Sequence, residues 1–403
     1  MTRTPLALAA LASAAVPGLD PLEVEGAVQR PGHQFEVAFI TDTQHRRWVV
    51  RAPMTAAAGA QMDAAASLLG MLSRRLPFSV PTPRGFVALQ EGGRASVYTY
   101  MVGRPLDFGH LPAGPGIAAE LGRALAALHN VDRALFDEAG LPSYDADTYR
   151  TRRLSDLDRA AATGHVPTGL LARWERSLED VSLWRFAPTP THGDLAGSHV
   201  LAVFDDDNDA ATGRVRGLTG WDEAKVADPA DDFAALVLQA SPAAFDSVLE
   251  AYAHARVDRP DKHLERRARL AGELKLISEL LTAVGGKDQN GTDVCAARLR
   301  QLDADISDVD PDDEPVVPTP PLAPRLPARS AESQHPAPVT ADWLRRDPSE
   351  ATGHPEPAGA VTADSLDVDP LDSDTAEVTG HPERTGSADS RPTADEAPGS
   401  PNS

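Results

Sequence analysis

A chain of 403 residues with 41% hydrophobic content is long enough for one large domain or two ordinary ones. Its net charge of −22, with no basic stripe interleaved with aromatics, argues against a nucleic-acid binder. A single cysteine, Cys295, rules out a disulfide framework or a cysteine-based zinc site within one chain, and no apolar run reaches the length of a membrane span.

The N-terminal MTRTPLALAALASAAVPG carries Arg3, an apolar run over Leu6–Val16 and a small-residue end, a pattern shared with secretory signals. The run is dominated by alanine, with Thr4 placed to cap a helix and Pro5 at its first position. It is read as a structural helix ended by PGLDP (17–21), and the chain as cytoplasmic. HQFEVAFITDTQHRRWVVRAP (33–53) holds two β-rich runs about a polar turn, with Phe35, Val37 and Phe39 alternating, which predicts a hairpin. QMDAAASLLGMLSRRL (61–76) places Leu68, Leu69, Leu72 and Leu76 at helical spacing. GFVALQEGGRASVYTYMVGRPL (85–106) reads as two more strands about Gly92-Gly93, followed by a connector. Helices then dominate: 116–131, 145–162, 168–183, 231–239, 242–255 and 261–284, with a short one over 294–302 that carries Cys295 on one face. The pattern is α+β, a small sheet-containing lobe over 1–104 and a larger helical lobe over 105–308.

From 309 onward the composition changes. Nineteen acids stand against six arginines and no lysine, and Trp343 is the one aromatic. Such a segment cannot bury enough apolar surface to offset its chain entropy, so 309–403 is expected to be a disordered acidic tail. TGHPE occurs twice in it, at 352–356 and 379–383, without the apolar pattern of a stacked repeat.

The chemistry concentrates in THGDLAGSHVL (191–201) and VRGLTGWDEAKVADP (215–229). Phosphoryl transfer to an alcohol needs a carboxylate to orient the hydroxyl, a metal-ligating side chain shortly after it, and a second metal carboxylate beyond a hairpin. Asp194 suits the first role, and His199, five residues on, suits the second. His192 is either a catalytic group or a loop residue hydrogen-bonded to backbone. Asp228 in ADP reads as a helix cap with Pro229 at the first helical position, and Trp221 reads as core. FDDDNDAATG (204–213) matches a calcium loop only in composition, because Ala210 stands where that loop requires glycine, so an acidic hairpin turn is expected.

These motifs, with RRWVVRAP (46–53), RLPFSVPTP (75–83), GRALAALHN (122–130) and DEAKVADPADDF (222–233), resemble the aminoglycoside phosphotransferase family, and within it the macrolide 2′-phosphotransferases. The resemblance runs from about residue 4 to 303 and excludes the tail. It implies the bilobal protein-kinase-like fold, ATP or GTP as phosphate donor, Mg²⁺ as cofactor and a small-molecule hydroxyl as acceptor. It also implies Asp194 as catalytic base with His192 beside it, His199 as metal ligand, and Arg51 on the third strand facing the nucleotide phosphates. Tyr100, Met101 and Val102 would form the hinge lining the nucleobase pocket, and Asp232, with Asp228, would support the catalytic loop.

Two positions depart from the family pattern. Ala65 stands where the acidic partner of Arg51 is expected, and Gly220 where the strand-end metal aspartate belongs. If the strand stays extended, Asp222 shares the side-chain sense of position 220 and is a substitute ligand displaced by about 6–7 Å. Two functions follow: a phosphotransferase with weakened activity, or a catalytically inactive pseudokinase that senses nucleotide or meets a protein partner through its acidic tail.

Overall fold

Thr4 accepts a hydrogen bond from the amide of Ala7, and with Pro5 at the first position it opens α1 (Pro5–Ala15). Leu8, Ala9 and Ala12 of α1 are buried against Ala38, Ile40, Val50, Ala52, Ala95 and Val97 of the sheet that follows. The structure, a computed structural model, describes residues 3–27, 34–90, 92–206 and 209–307. The expected acidic tail, its repeats and its suggested protein partner lie outside the described residues.

The sheet contains β1 (Pro21–Gly26), β2 (Phe35–Asp42), β3 (Arg47–Pro53), β4 (Pro83–Ala88) and β5 (Arg94–Thr99), in spatial order β1-β2-β3-β5-β4 with every pair antiparallel. β2 alternates half-buried and buried residues along its length, the period of a strand with one face on the core. The sequence reading assigned nothing to β1; Leu22 is exposed on this edge strand, so no buried face marks it. Between β3 and β4 lies α2 (Ala56–Leu72), which starts five residues earlier than its leucine spacing suggests. Thr55 caps it by accepting from the amide of Ala58, and its alanine-rich first turns carry no apolar period.

The rest of the described chain is largely helical. β6 (Arg104–Pro105) leads to α3 (Ile117–His129), α4 (Ala134–Glu138), α5 (Ala146–Ala161) and α6 (Thr168–Glu179). Short strands then carry the motifs: β7 (Thr189–Thr191), β8 (Val200–Val203), β9 (Arg214–Leu218) and β10 (Lys225–Ala227). β8 and β9 pair antiparallel, and β10 returns to pair with β7. Helices α7 (Ala234–Gln239), α8 (Pro242–Ala255), α9 (Leu264–Gly285) and α10 (Gln289–Ser307) follow. α10 is longer than expected because Asp288 accepts from the amide of Gly291 and starts the helix before its apolar period is visible. Two apolar clusters fill this part, one around Phe108, Leu121, Trp221 and Phe233, the other around Trp174, Leu178, Ile277 and Leu299. Cys295 is buried in the second cluster, on α10. Among the described residues no helix is long and apolar enough to cross a membrane.

Candidate active site

The β7–β10 pairing, with Thr191 opposite Lys225, launches the loop His192–His199 from a fixed edge. Gly193 takes φ +83°, and a Cβ there would lie 2.0 Å from the carbonyl oxygen of Glu223, so only glycine passes this close. The fully buried Asp232 accepts from the amides of His192 (2.8 Å) and Gly193 (2.7 Å), clamping both peptide groups. His129 of α3 meets the same carboxylate at 2.9 Å through Nε2, and its Nδ1 lies 2.8 Å from the hydroxyl of Tyr252 on α8. Burial pushes the Asp232 carboxyl upward, but the His129 hydrogen bond and charge outweigh it and hold the group below the usual carboxylate range.

His192, expected beside Asp194 as a catalytic group, is fully buried. Its Nε2–H donates to the carbonyl of Thr219 at 2.7 Å, and its ring lies 4.8 Å from that of Trp221, tilted by 53°. Burial lowers its pKa, which keeps the imidazole neutral. This geometry ties the loop to the end of β9 and gives the side chain no surface on the cleft. Asp194, by contrast, is about one-third exposed and forms an ion pair with Lys275 of α9. Burial raises its carboxyl pKa, and the Lys275 ammonium more than offsets that, leaving a lowered value.

Above the loop, Arg51 of β3 lies 4.0 Å over the Phe35 ring and donates from Nη2 to Asp222 Oδ2 at 2.8 Å. The cleft, about 480 Å³, is lined by Val37, Arg51 and Tyr98 of the sheet, by Ala65 of α2, and by His199, Gly220 and Asp222. Arg51's carboxylate partner therefore comes from the segment after β9, while α2 presents Ala65. Asp63, two residues earlier, faces away and pairs with Arg94 at 2.7 Å. In the expected hinge, the Tyr100 amide donates to the carbonyl of Arg47, the Tyr100 ring lies 3.9 Å beneath the Arg47 guanidinium, and Val102 is 70% exposed. Met101 packs its terminal methyl over Gly217 of β9. These three residues are not part of the cleft lining.

The strand does not stay extended through position 220. Gly220 adopts φ +80°, ψ +41°, and Trp221–Glu223 form a 3-10 turn, so the extended-strand premise for Asp222 fails. A Cβ on Gly220 would meet the His199 ring at 2.7–2.8 Å, the ring occupying the space an aspartate would need. His199 is held there by its Nδ1–H, which donates to the Asp194 carbonyl at 2.9 Å and leaves Nε2 as the bare nitrogen. Gly220→Asp is therefore expected not to rebuild a metal site but to cost about 1–3 kcal/mol through left-handed strain and displacement of His199. Urea unfolding of Gly220→Asp beside wild type checks this; equal stability with faster turnover would show that the slot is open.

Among the described residues no three His, Cys, Asp or Glu side chains gather as a metal site. Magnesium in nucleotide sites commonly takes one or two carboxylates, with phosphate oxygens and waters completing its shell. Asp222 Oδ1 is buried and has no hydrogen-bond partner, so one carboxylate oxygen fits that mode of binding, and the imidazole of His199 lines the same cleft.

Three residues of this region were not named from the sequence. His129 left a signal, a histidine on the leucine face of a helix. Arg267 left one too, a charged residue in the apolar stripe of α9. Lys275 left none.

The model of the phosphotransferase enzyme family matches residues 28–272. Among solved structures, the chain is similar to macrolide 2′-phosphotransferase MphH from Brachybacterium faecium, at 27% identity and TM-score 0.61, over 73% of this chain and 97% of that one. It is similar to macrolide 2′-phosphotransferase type I at 28% identity and TM-score 0.61, over 74% and 99%. Aminoglycoside 2′-phosphotransferase-IIIa shares the fold at 18% identity and TM-score 0.64, over 75% of this chain and 100% of that one. The uncharacterized protein YcbJ of Bacillus subtilis (strain 168) is 29% identical over 209 residues, 50% of this chain; the match spans 66% of its length, just under two thirds.

Proposed function

Because the chain belongs to the phosphotransferase enzyme family, we propose that it transfers the γ-phosphoryl group of ATP or GTP to a hydroxyl of a small molecule, a macrolide-like antibiotic, its more similar solved relatives being named macrolide 2′-phosphotransferases. The observation that carries this reading is Asp194, a partly exposed carboxylate that is not itself in the cleft lining but lies on the loop that delivers His199 to it, a loop whose two amides before Asp194 are fixed by one buried aspartate. Asp194 orients the acceptor hydroxyl and takes its proton. Arg51, now on Asp222, turns its guanidinium to the nucleotide phosphates, a stronger pairing than a single, about one-quarter exposed carboxylate. Asp222, through Oδ1, and His199 would hold Mg²⁺ entering with the nucleotide, whose charge neutralises that developing between β- and γ-phosphates. The absence of a carboxylate at Gly220 makes turnover slow: loss of one fixed electrostatic stabiliser costs about 10²–10³ in rate.

Calorimetric titration with ATP and GTP, each with and without Mg²⁺, followed by a mass-spectrometric screen of macrolides and aminoglycosides for gain of one phosphoryl group, tests the reading. Nucleotide binding strengthened by Mg²⁺ and phosphorylation of a macrolide are expected. Binding with no acceptor modified would favour the nucleotide-sensing alternative, and no binding at all would exclude both.

A further inference from the structure

Lys275 is the cation that meets the Asp194 carboxylate, and it comes from α9, 81 residues further along the chain. An exposed lysine–aspartate pair contributes little to stability, yet this one is held in register by two buried anchors that precede it on α9. Before it, Arg267 is fully buried and fixed to Asp228 and Asp261. Two residues before it, Glu273 is buried and accepts from Trp174 Nε1 at 2.7 Å. The Lys275 side chain is about half exposed, so its ammonium, with three donors, has N–H groups to spare beyond the one given to Asp194. Across the loop, the place where a strand-end carboxylate would recruit positive charge is Gly220, filled by the His199 ring.

From this arrangement, and resting on the phosphotransfer reading, we infer that Lys275 is a catalytic residue that places its ammonium on the transferring γ-phosphoryl group, supplying positive charge that Gly220 cannot recruit. In the step itself, the acceptor oxygen forms its bond to the γ-phosphorus as the bond from that phosphorus to the β–γ bridging oxygen breaks. The electron pair leaves on the nucleoside diphosphate, and the acceptor proton passes to Asp194. Lys275 bridges the carboxylate and an equatorial γ-oxygen throughout, so it recognises a group that a diphosphate lacks.

The test compares wild type, Lys275→Met and Lys275→Arg by calorimetric titration with ATP, ADP, GTP and GDP in excess Mg²⁺. Wild type is expected to prefer the triphosphate over the diphosphate by about tenfold, one charge-assisted contact. Lys275→Met is expected to lose that preference while keeping its diphosphate affinity, and Lys275→Arg to retain most of it. With an acceptor in hand, kcat of the Met variant falls and KM for the acceptor holds. A triphosphate preference absent from wild type, or unchanged in Lys275→Met, overturns the role of Lys275 and leaves the phosphotransfer reading standing. Failure of wild type to bind any nucleotide removes both.

Discussion

Asp194→Asn is expected to reduce turnover by about 10³-fold while leaving nucleotide affinity within about threefold of wild type. The substitution keeps the shape of the side chain and removes its ability to accept a proton. Nothing that holds the loop depends on the Asp194 carboxylate. The amides of His192 and Gly193 are clamped by Asp232, the His192 ring by the Thr219 carbonyl, and the His199 ring by the backbone carbonyl of residue 194 itself. The lost ion pair with Lys275 is partly exposed, and such pairs contribute about 0–1 kcal/mol. The variant should therefore unfold at nearly the same urea concentration as wild type, so a large kinetic loss would belong to chemistry. Turnover insensitive to the change would remove Asp194 from the reaction and with it the proposed mechanism.

The fold was legible because its signals are local and periodic. The alternation in β2, the leucine spacing of α2 and α3, and the Thr4-Pro5 start of α1 each specify one element without help from the rest of the chain. β1 was not legible, since an exposed edge strand has no buried face to mark it. The site was legible to the extent that motif spacing carries it. Arg51, Ala65, His199, Gly220 and Asp222, all named from the sequence, line one cleft. What spacing cannot carry is which partner a side chain chooses. Arg51 met Asp222 because a left-handed glycine turned the chain after β9, and that turn is invisible when a strand is assumed to continue. The sequence reading treated Gly220 as an aspartate lost; the geometry makes it a residue that His199 requires. Lys275 was beyond reach for a related reason: its role depends on where α9 lies, and α9 is positioned by a residue eight places earlier.

That residue, Arg267, makes the second large prediction. Its guanidinium is fully buried and uses its whole set of five N–H donors. Nε and Nη2 bond Asp228 at 2.7 and 3.1 Å, Nη1 and Nη2 each bond Asp261 at 2.8 Å, and Nη1 also reaches the Leu183 carbonyl at 3.1 Å. Asp228 is at the same time the cap of the turn Pro229–Phe233, accepting from the Ala230 amide at 3.0 Å, and that turn carries Asp232. Burial, only partly offset by the Arg267 charge, pushes the Asp228 carboxyl up to about 6. Arg267→Met would leave that carboxylate and the Leu183 carbonyl buried with no cation, and removing one partner of a buried pair costs about 3–5 kcal/mol. Arg267→Lys is expected to recover little, because three donors on a point charge cannot span two carboxylates and a carbonyl. Asp228→Asn combined with Arg267→Met should cost less than the sum of the single changes, since no charge is then left buried alone. Urea unfolding of the four members of this cycle, with Arg267→Lys beside them, checks all three statements, and a loss below about 1 kcal/mol for Arg267→Met would show that the pair is not what holds α9. The kinetic consequence follows from helix geometry. Lys275 stands eight residues beyond the anchor, about 12 Å along α9, so an α9 released at Arg267 no longer delivers its ammonium to Asp194. Any stable variant of this pair should therefore lose turnover as well as stability, with the loss falling on kcat.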